Sequence, residues 1–278
     1  MKLLYLGTAA AEGMPALFCT CATCLAARRR GGRDLRTRSQ ALLDGKLLLD
    51  FPCDTLSHTL REGIDLSEIS DCLLTHTHAD HLYPADLKNR APGFSVVGDR
   101  TFTLWGSEGA MAYTGEKISA FRERMCGFAT RVLPLYETTG VGEFSVTPLP
   151  AVHDPDASPV IYLIGNAEGK HLLYAHDTGF FADGVWQYFE THPVHLDLVS
   201  LDCTYGQRES ARTSGHMNFA ANLRVRDRLL ALGVADRTTT FVANHFSHNG
   251  KGVLYDEFFP MAEEHGFLMS YDGMTVKV

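Results

Sequence analysis

The stretch Thr75-His76-Thr77-His78-Ala79-Asp80-His81 places three histidines and one aspartate within six residues. It directly follows Cys72-Leu73-Leu74, the end of an apolar run that predicts a buried strand. Imidazole nitrogens and carboxylate oxygens are common ligands of Zn²⁺ and of related divalent ions. A loop of such residues at the end of a strand therefore predicts a metal site, which residues later in the chain should complete.

The spacing within this loop predicts two groups of ligands. Side chains two residues apart in an extended segment point to the same side, so His76 and His78 should face one metal. Asp80 and His81 can then face a second metal nearby. The sequence therefore favours a site for two ions over a loop of ordinary polar contacts.

Three later residues each follow a predicted strand. His153 comes after a strand over residues 144–149, Asp177 after one over residues 171–174, and His245 after one over residues 238–243. Each residue alone could be structural. Their shared position just beyond a strand argues for all three as further metal ligands.

The alternation of strands and helices predicts an α/β fold. A strand over residues 2–6 and a hairpin that turns at Asp44-Gly45 come before the histidine loop. Helical patterns over residues 108–124, 180–190, 218–232 and 252–264 are separated by strands. We find no linker, so residues 1–278 are expected to form one domain, a sandwich of two sheets covered by outer helices.

Composition and charge limit the classes of function. The 278 residues are 45% hydrophobic and 21% charged, as in a folded domain with a large core. The net charge of −8 argues against a nucleic-acid binder, yet a small anionic substrate is compatible because metals supply positive charge. No apolar run suits a signal peptide or a transmembrane helix. We therefore expect a cytoplasmic protein with no membrane partner.

A second group of metal ligands is the run Cys19-Thr20-Cys21-Ala22-Thr23-Cys24. An odd total of seven cysteines suits a reduced compartment and a metal better than a disulfide framework. Three thiolates at this spacing fit a closed tetrahedral Zn²⁺ site that lacks one ligand, for which His248 is the candidate. The remaining cysteines are expected in the core: Cys53, Cys72, Cys126 and Cys203.

A run of arginines follows the cysteine cluster, between residues 28 and 38. It comprises Arg28, Arg29, Arg30, Arg33, Arg36 and Arg38. We expect a solvated loop here. The alternative is a surface that attracts an anionic substrate.

The histidine loop with a later His, an Asp and a final His resembles the pattern of the metallo-β-lactamase superfamily, over residues 2 to about 273. The resemblance implies an α/β protein with an αβ/βα four-layer sandwich and two divalent ions at one edge, Mn, Zn, Ni or Fe. Asp177 would bridge the two ions. It further implies two ligand sets: His76, His78 and His153, and Asp80, His81 and His245.

The cysteine cluster narrows the resemblance to one branch. A structural zinc beside the metal pair is similar to that of the cyclic phosphodiesterases of the carbon–phosphorus lyase pathway, and of a relative in pyrroloquinoline quinone synthesis. His216, near the start of a predicted helix, lies where that branch places a general acid, and an imidazole suits this role near neutral pH. His176 is close enough to Asp177 to support it. The segment of about 89–140 is longer than expected for that branch, which leaves open a pocket of different shape.

The resemblance implies a metal-dependent hydrolase, above all a phosphodiesterase acting on small diesters, cyclic ones included. A hydroxide bridging two metals would attack, Asp80 would orient it, and His216 would protonate the leaving alkoxide. The alternatives are a thioester or lactone hydrolase and a protein of the quinone-synthesis type. A transfer-RNA nuclease would need a basic arm that we do not find. A homodimer would be common in this superfamily.

Overall fold

The computed structural model describes residues 1–209 and 215–278, whose strands form two seven-stranded sheets. The first sheet contains, in spatial order, β14 (Thr275–Lys277), β1 (Lys2–Gly7), β2 (Gln40–Leu43), β3 (Leu47–Leu49), β4 (Asp71–Leu73), β5 (Phe102–Gly106) and β6 (Phe128–Val132). The second contains β13 (Phe267–Met269), β12 (Thr240–Asn244), β11 (Leu198–Asp202), β10 (His171–Ala175), β9 (Val160–Gly165), β8 (Phe144–Pro150) and β7 (Thr139–Val141).

Helices cover the outer face of each sheet. In chain order they are α1 (Ala22–Arg30), α2 (Thr55–Glu62), α3 (Pro84–Leu87), α4 (Glu108–Arg122), α5 (Asp183–Thr191), α6 (Phe219–Ala231) and α7 (Tyr255–Glu264). Helix α4 packs on β5 and β6, whereas α6 and α7 pack on β12 and β13 of the second sheet. The result is the αβ/βα four-layer sandwich that the sequence predicted.

Apolar strands that are buried on both faces create three cores. In β9, Tyr162 and Ile164 point between the sheets, while Ile161 and Leu163 point toward the outer helices. The same period of two runs through the opposite sheet, where the outward side chain of Leu48 belongs to the third core. Continuous apolar runs such as 160–164 therefore form central strands, since both faces exclude water.

Strand direction brings the ends of several strands to one edge. Strands β10, β11 and β12 are parallel to one another, and β3 is parallel to β4. Strand β8 runs in the direction of β10 because each is antiparallel to β9. The residues that follow these strands therefore lie at the same edge of the sandwich, as the strand-end pattern predicted.

One prediction about local structure was wrong. The arginine run is not simply a solvated loop, because Arg28, Arg29 and Arg30 form the last turn of α1. The side chain of Cys21 caps this helix by accepting a hydrogen bond from the N–H of Cys24. The segment 89–140, which the sequence left open as the source of a pocket of different shape, supplies β5, β6 and α4 to the first sheet and its helical layer.

Within the described ranges, the helices are all too short or too polar to span a bilayer.

Candidate metal centre

Asp50, which directly follows β3 and is completely buried, fixes the histidine loop in place. Its Oδ1 accepts a hydrogen bond from the N–H of Thr75 at 2.8 Å, and its Oδ2 lies 2.7 Å from Nδ1 of His81. Because Nδ1 of His81 faces Asp50, the opposite ring nitrogen, Nε2, is directed toward Asp177. Asp50 was not among the residues predicted from the sequence.

His76, His78 and His153 form the first group of candidate ligands, and their ligand atoms all lie within 4.8 Å of one another. Nδ1 of His78 is 3.1 Å from Nε2 of His76 and 3.2 Å from Nε2 of His153. Nδ1 of His153 faces the backbone oxygen of Gly215 at 2.9 Å. Burial and the neighbouring His81 hold the pKa of His76 well below its usual value, so its lone pair is available to a metal.

Asp80, His81, Asp177 and His245 form a second, fully buried group. Oδ2 of Asp177 lies 2.5 Å from Nε2 of His81 and 2.8 Å from Nε2 of His245. Its Oδ1 lies 3.8 Å from Nε2 of His153, a member of the first group. Asp177 therefore lies between the two groups, at the position of a bridging carboxylate.

The carboxylates and imidazoles of the second group shift one another's pKa values. Burial opposes ionisation of Asp177, but His245 and His81 outweigh it and hold the pKa of this carboxyl well below its usual value. Burial likewise opposes protonation of His245, yet Asp177 and Asp202 raise its pKa to about 10. Protons on the imidazoles thus occupy the place that a metal cation would take, and metal binding should release them.

The donor atoms of both groups fit a pair of divalent ions. Oδ2 of Asp177 is buried and forms no hydrogen bond of normal geometry within the described ranges, despite its two imidazole neighbours. Nε2 of His81 and Nε2 of His245 also face each other at 3.4 Å. Nitrogen and carboxylate atoms that converge without pairing are typical ligands of Zn²⁺, Mn²⁺ or Fe²⁺.

His216 stands beside the second group, with 22% of its side chain exposed. Its Nδ1 lies 2.9 Å from Oδ2 of Asp202 and 3.5 Å from Oδ1 of Asp177. Burial opposes its protonation, but Asp202 outweighs this effect and raises the pKa of His216. Four potential ligand atoms also lie within 4.8 Å of one another here, those of His216, Asp202, Asp177 and His245. The geometry is therefore compatible with His216 as either a general acid or a metal ligand.

Asp202, at the end of β11, was not predicted as a functional residue. It is completely buried, and its Oδ2 lies 3.4 Å from Nδ1 of His245 as well as facing His216. Thr204 donates a hydrogen bond to Oδ2 of Asp202 at 3.0 Å. The carboxylate of Asp202 therefore orients the rings of both His216 and His245 through their Nδ1 atoms.

Cys19, Cys21, Cys24 and His248 come together in a third group, also with all ligand atoms within 4.8 Å. Nδ1 of His248 lies 3.5 Å from Sγ of Cys19 and 3.6 Å from Sγ of Cys21. The backbone N–H of Cys24 lowers the pKa of the Cys21 thiol to about 6, while burial raises the pKa of Cys24 to about 11. A Zn²⁺ ion fits this donor set, since it would supply the charge that ionises all three thiols.

Most of the arginines after this cluster are engaged with other parts of the protein. Arg28 donates to the backbone oxygens of Cys19 and Ala16 and so supports the cysteine loop. Arg33 stacks over the rings of Tyr255 and Tyr271. Arg30 pairs with Glu257 and Arg38 with Asp54. The buried Arg36 donates to the hydroxyl of Thr8 and to the backbone oxygen of Ser270, and it lies over the ring of Phe246. These contacts give the run a structural role.

The other four cysteines follow the prediction only in part. Cys72 and Cys203 are buried, as expected of core residues. Cys53 is half-buried and Cys126 is exposed, so the prediction for Cys126 was wrong. Cys126 lies in the turn between α4 and β6, outside the apolar layers.

Comparisons with known proteins agree with this architecture. A family model described as the beta-lactamase superfamily domain matches residues 49–240. Zinc-bound PqqB from Methylobacterium extorquens superposes with a TM-score of 0.77 at 20% identity, covering 100% of both chains. A diphosphatase from the PhnP family gives a TM-score of 0.71 at 20% identity, over 99% of this chain and 96% of that one. Human short-form tRNase Z gives 0.67 at 17% identity, over 100% of this chain and 99% of that one.

Identities at this level demonstrate a shared fold only. No curated protein sequence matches the chain significantly. The family model nevertheless spans well over half of the residues and includes the histidine loop, His153 and Asp177. The chain therefore belongs to the metallo-β-lactamase superfamily of hydrolases.

Proposed function

We propose that this protein is a phosphodiesterase that hydrolyses small phosphodiesters at the two groups of ligands joined by Asp177. The observation that carries the proposal is the pairing of His216 with Asp202 within 3.5 Å of Asp177. A protonated imidazole beside a dinuclear site can assist departure of an alkoxide, which is a poor leaving group. Such an acid distinguishes a hydrolase from a cofactor-synthesis protein in which the second group need not be catalytic.

Each candidate ligand has a role in this proposal. One ion would be held by His76, His78 and His153. The other ion would be held by Asp80, His81 and His245, and Asp177 would contact both ions. When bound, the ions would polarise the phosphate and make a water molecule at the site more acidic. Burial opposes ionisation of Asp80, but His81 outweighs this effect and keeps the pKa of Asp80 below its usual value. The ionised carboxylate can therefore accept a hydrogen bond from the attacking water and orient that water.

His216 would deliver a proton to the departing oxygen. Asp202 holds Nδ1 of this ring, which leaves Nε2 as the atom that meets the substrate. The same carboxylate stabilises the protonated ring, because an adjacent negative charge favours the imidazolium form. His216 is thus charged before the reaction and neutral after it, as a general acid must be.

The cysteine group would hold a structural zinc that joins the N-terminal loop to the loop of His245. His248 lies three residues beyond His245, so an ion bound by Cys19, Cys21, Cys24 and His248 would restrain both loops. A closed site with four protein ligands leaves no position for substrate. Its proposed contribution is therefore to geometry and stability.

The substrate proposed is a small molecule, for which the surface charge gives support. The net charge is −8, and the arginine run is engaged in structural contacts. Asp154 and Asp156, beside the histidine loop, are exposed carboxylates that would repel a polyanion. A diphosphatase of the PhnP family is among the fold relatives, which is compatible with phosphate ester chemistry here.

The proposal is tested by a substrate panel on protein loaded with Mn²⁺ or Zn²⁺. We expect hydrolysis of bis(p-nitrophenyl) phosphate and of a cyclic nucleotide, and loss of this activity in Asp80→Ala. Asp227→Ala, an exposed carboxylate on α6, is the matched control and should keep full activity. Hydrolysis of thioesters or lactones without any diester activity would replace the proposal with the rival class.

A further inference from the structure

A groove of about 950 Å³ adjoins the candidate metal centre at His153. Its walls come from the start of α4, the segment after β6 and the loop between β8 and β9. Nine of its fourteen lining residues are apolar, among them Val132, Leu133, Leu135, Pro155, Pro159 and Val160. Leu133 and Val160 are buried, whereas Val132 and Leu135 are 48% and 46% exposed along its rim.

The walls of this groove are rigid. Three prolines line it, and each has a fixed φ and no N–H to satisfy. Ser107 donates a hydrogen bond to the backbone oxygen of Ser158 at 2.8 Å. A Cβ at Gly109 would lie only 2.1 Å from Oγ of Ser158, so helix α4 can approach this loop only with glycine there. The groove is therefore formed before any ligand arrives.

Among the described residues that line the groove, the acidic Glu108 is the one with a formally charged side chain. The exposed Asp154 lies next in sequence to His153, with its Oδ2 3.2 Å from Nε2 of His78. The described lining thus offers no cation to a second phosphate or a carboxylate. An anionic group in this groove would lose its hydration without gaining a partner.

The groove is continuous with the catalytic edge. The loop that carries His153 is joined to the histidine loop by hydrogen bonds from Thr77 N–H to the oxygen of Ala157 and from Val160 N–H to the oxygen of Thr75. His216 contacts the ring of His153 at a centroid distance of 4.9 Å but does not line the groove. A phosphorus atom bound at the metal centre would therefore have His216 beside one of its substituents and the groove beside another.

We infer that this groove binds an uncharged apolar alcohol group of the substrate, the one that stays on phosphorus while the other departs toward His216. This inference rests on the proposed function. Water attacks phosphorus and releases one proton to solvent, and the bond from phosphorus to the leaving oxygen breaks. That oxygen takes a proton from His216, which solvent then replaces. The products are an alcohol and a phosphate monoester that carries the apolar group. The substrate class is therefore an aryl or alkyl phosphodiester, in preference to one with further anionic groups.

The test uses two diesters with the same leaving group, methyl p-nitrophenyl phosphate and phenyl p-nitrophenyl phosphate, on the full-length metal-loaded protein. We expect the wild type to favour the phenyl ester by about tenfold in kcat/KM, chiefly through KM. Leu135→Asp places a charge on the rim and should abolish this preference, lowering kcat/KM about tenfold more for the phenyl ester than for the methyl ester. Val132→Asp, at a second exposed position, provides an independent variant. Leu230→Asp, on the exposed side of α6, is the matched control and should retain the preference.

Calorimetric binding of diphenyl phosphate to the same metal-loaded proteins supplies a readout that does not depend on turnover. Affinity should fall about tenfold in Leu135→Asp and remain unchanged in Leu230→Asp. Equal losses for both esters in Leu135→Asp, or no loss of diphenyl phosphate affinity, would overturn the assignment of the groove. Absence of hydrolysis of either ester by the wild type would instead refute the proposed function, and the calorimetric comparison would then decide the groove alone.

Discussion

The side-chain amide of Asn244 lies 3.2 Å from both ring nitrogens of His176, and each residue directly precedes a candidate metal ligand. Asn244 ends β12 just before His245, and His176 follows β10 just before Asp177. Both ligands have left-handed backbones, with φ of 63° for His245 and 50° for Asp177. Such conformations are costly for residues other than glycine, so surrounding contacts must hold them in place.

A buried polar network provides those contacts. Nε2 of His176 lies 2.7 Å from Oγ of Ser200 in β11, and Ser270 donates a hydrogen bond to the side-chain oxygen of Asn244 at 2.5 Å. Tyr5 of the first sheet donates to the same Ser200 at 2.8 Å. The network therefore joins the parallel strands that carry Asp177 and His245 and sets the distance between these two ligands.

We predict that Asn244→Ala and His176→Ala weaken metal binding at the Asp177 centre by about 10- to 100-fold, since support of this kind orients ligands. Elemental analysis after dialysis against graded metal concentrations measures this, with the cysteine-bound zinc as internal reference. His171→Ala, at the opposite end of β10, should leave both sites loaded. His176→Gln should restore part of the affinity. Parallel loss of zinc from the cysteines would indicate unfolding and contradict a positioning role.

The strand-end pattern predicted much of the site because parallel strands bring their carboxyl ends together whatever the intervening sequence. The same rule would have flagged Asp50 after β3 and Asp202 at the end of β11. Single carboxylates at these places look like ordinary turn residues, and their histidine partners are distant in sequence. Asp50 meets His81 because β3 and β4 are adjacent parallel strands of the first sheet, and His216, just before α6, lies against the end of β11 that carries Asp202.

The arginine run and the short strands were harder to predict. A sequence rich in Arg has the composition of a solvated segment, but the aromatic rings that Arg33 and Arg36 contact lie more than 200 residues later. Strand β6 has partly polar residues and pairs only with β5 at the edge of its sheet, so its alternation is weak. Long-range contacts decide both cases, and local patterns do not contain them.

We predict that Cys21→Ser releases one zinc per chain while the metal pair stays loaded. Serine lacks the soft, ionisable sulfur that zinc prefers, and Sγ of Cys21 also caps α1. Loss of the ion should lower the free energy of unfolding by at least about 1 kcal/mol, because a ligand that binds only the folded state stabilises it. Elemental analysis and urea unfolding measure the two effects.

Cys126→Ser is the matched control for this substitution, as Cys126 is exposed and outside the cluster. It should change neither zinc content nor stability. Equal zinc content in Cys21→Ser and in the wild type would refute a Cys₃His site.

We predict that His216→Ala retains two metals and loses activity in proportion to the basicity of the leaving group. A methyl leaving group needs a proton as it departs, so its hydrolysis should fall by about 10²- to 10⁴-fold. A p-nitrophenolate leaving group departs without one and should be affected far less. Rates with a series of phenyl and alkyl diesters, at matched metal content, give this dependence.

Two results would contradict an acid role for His216. A uniform loss across all leaving groups would indicate a role in binding or orientation. Loss of one metal from His216→Ala would instead identify His216 as a ligand, which its distance of 3.5 Å from Asp177 allows. His216→Gln would separate the two, because an amide can fill the space without ionising.

We predict that His58 makes the protein less stable as the pH falls below neutrality. His58 lies in α2 and its ring is completely buried, with Nδ1 2.6 Å from the side-chain oxygen of Gln40. Burial, with a contribution from Arg61, lowers the pKa of His58 from 6.5 to about 4. Between these values the unfolded chain binds a proton that the folded chain does not, so stability rises with pH across this window.

The effect of His58 is measured by urea unfolding of the wild type and of His58→Gln at about pH 7.5 and about pH 5. The free energy of unfolding of the wild type should fall by up to about 2 kcal/mol over this interval. Glutamine can keep a hydrogen bond to Gln40 but cannot ionise, so the variant should lose less stability over the same interval. Other buried histidines titrate in both proteins and cancel in the difference. Identical pH dependence in the two proteins would mean that the folded structure accommodates a charged His58, with Asp54 as the nearby carboxylate that favours it.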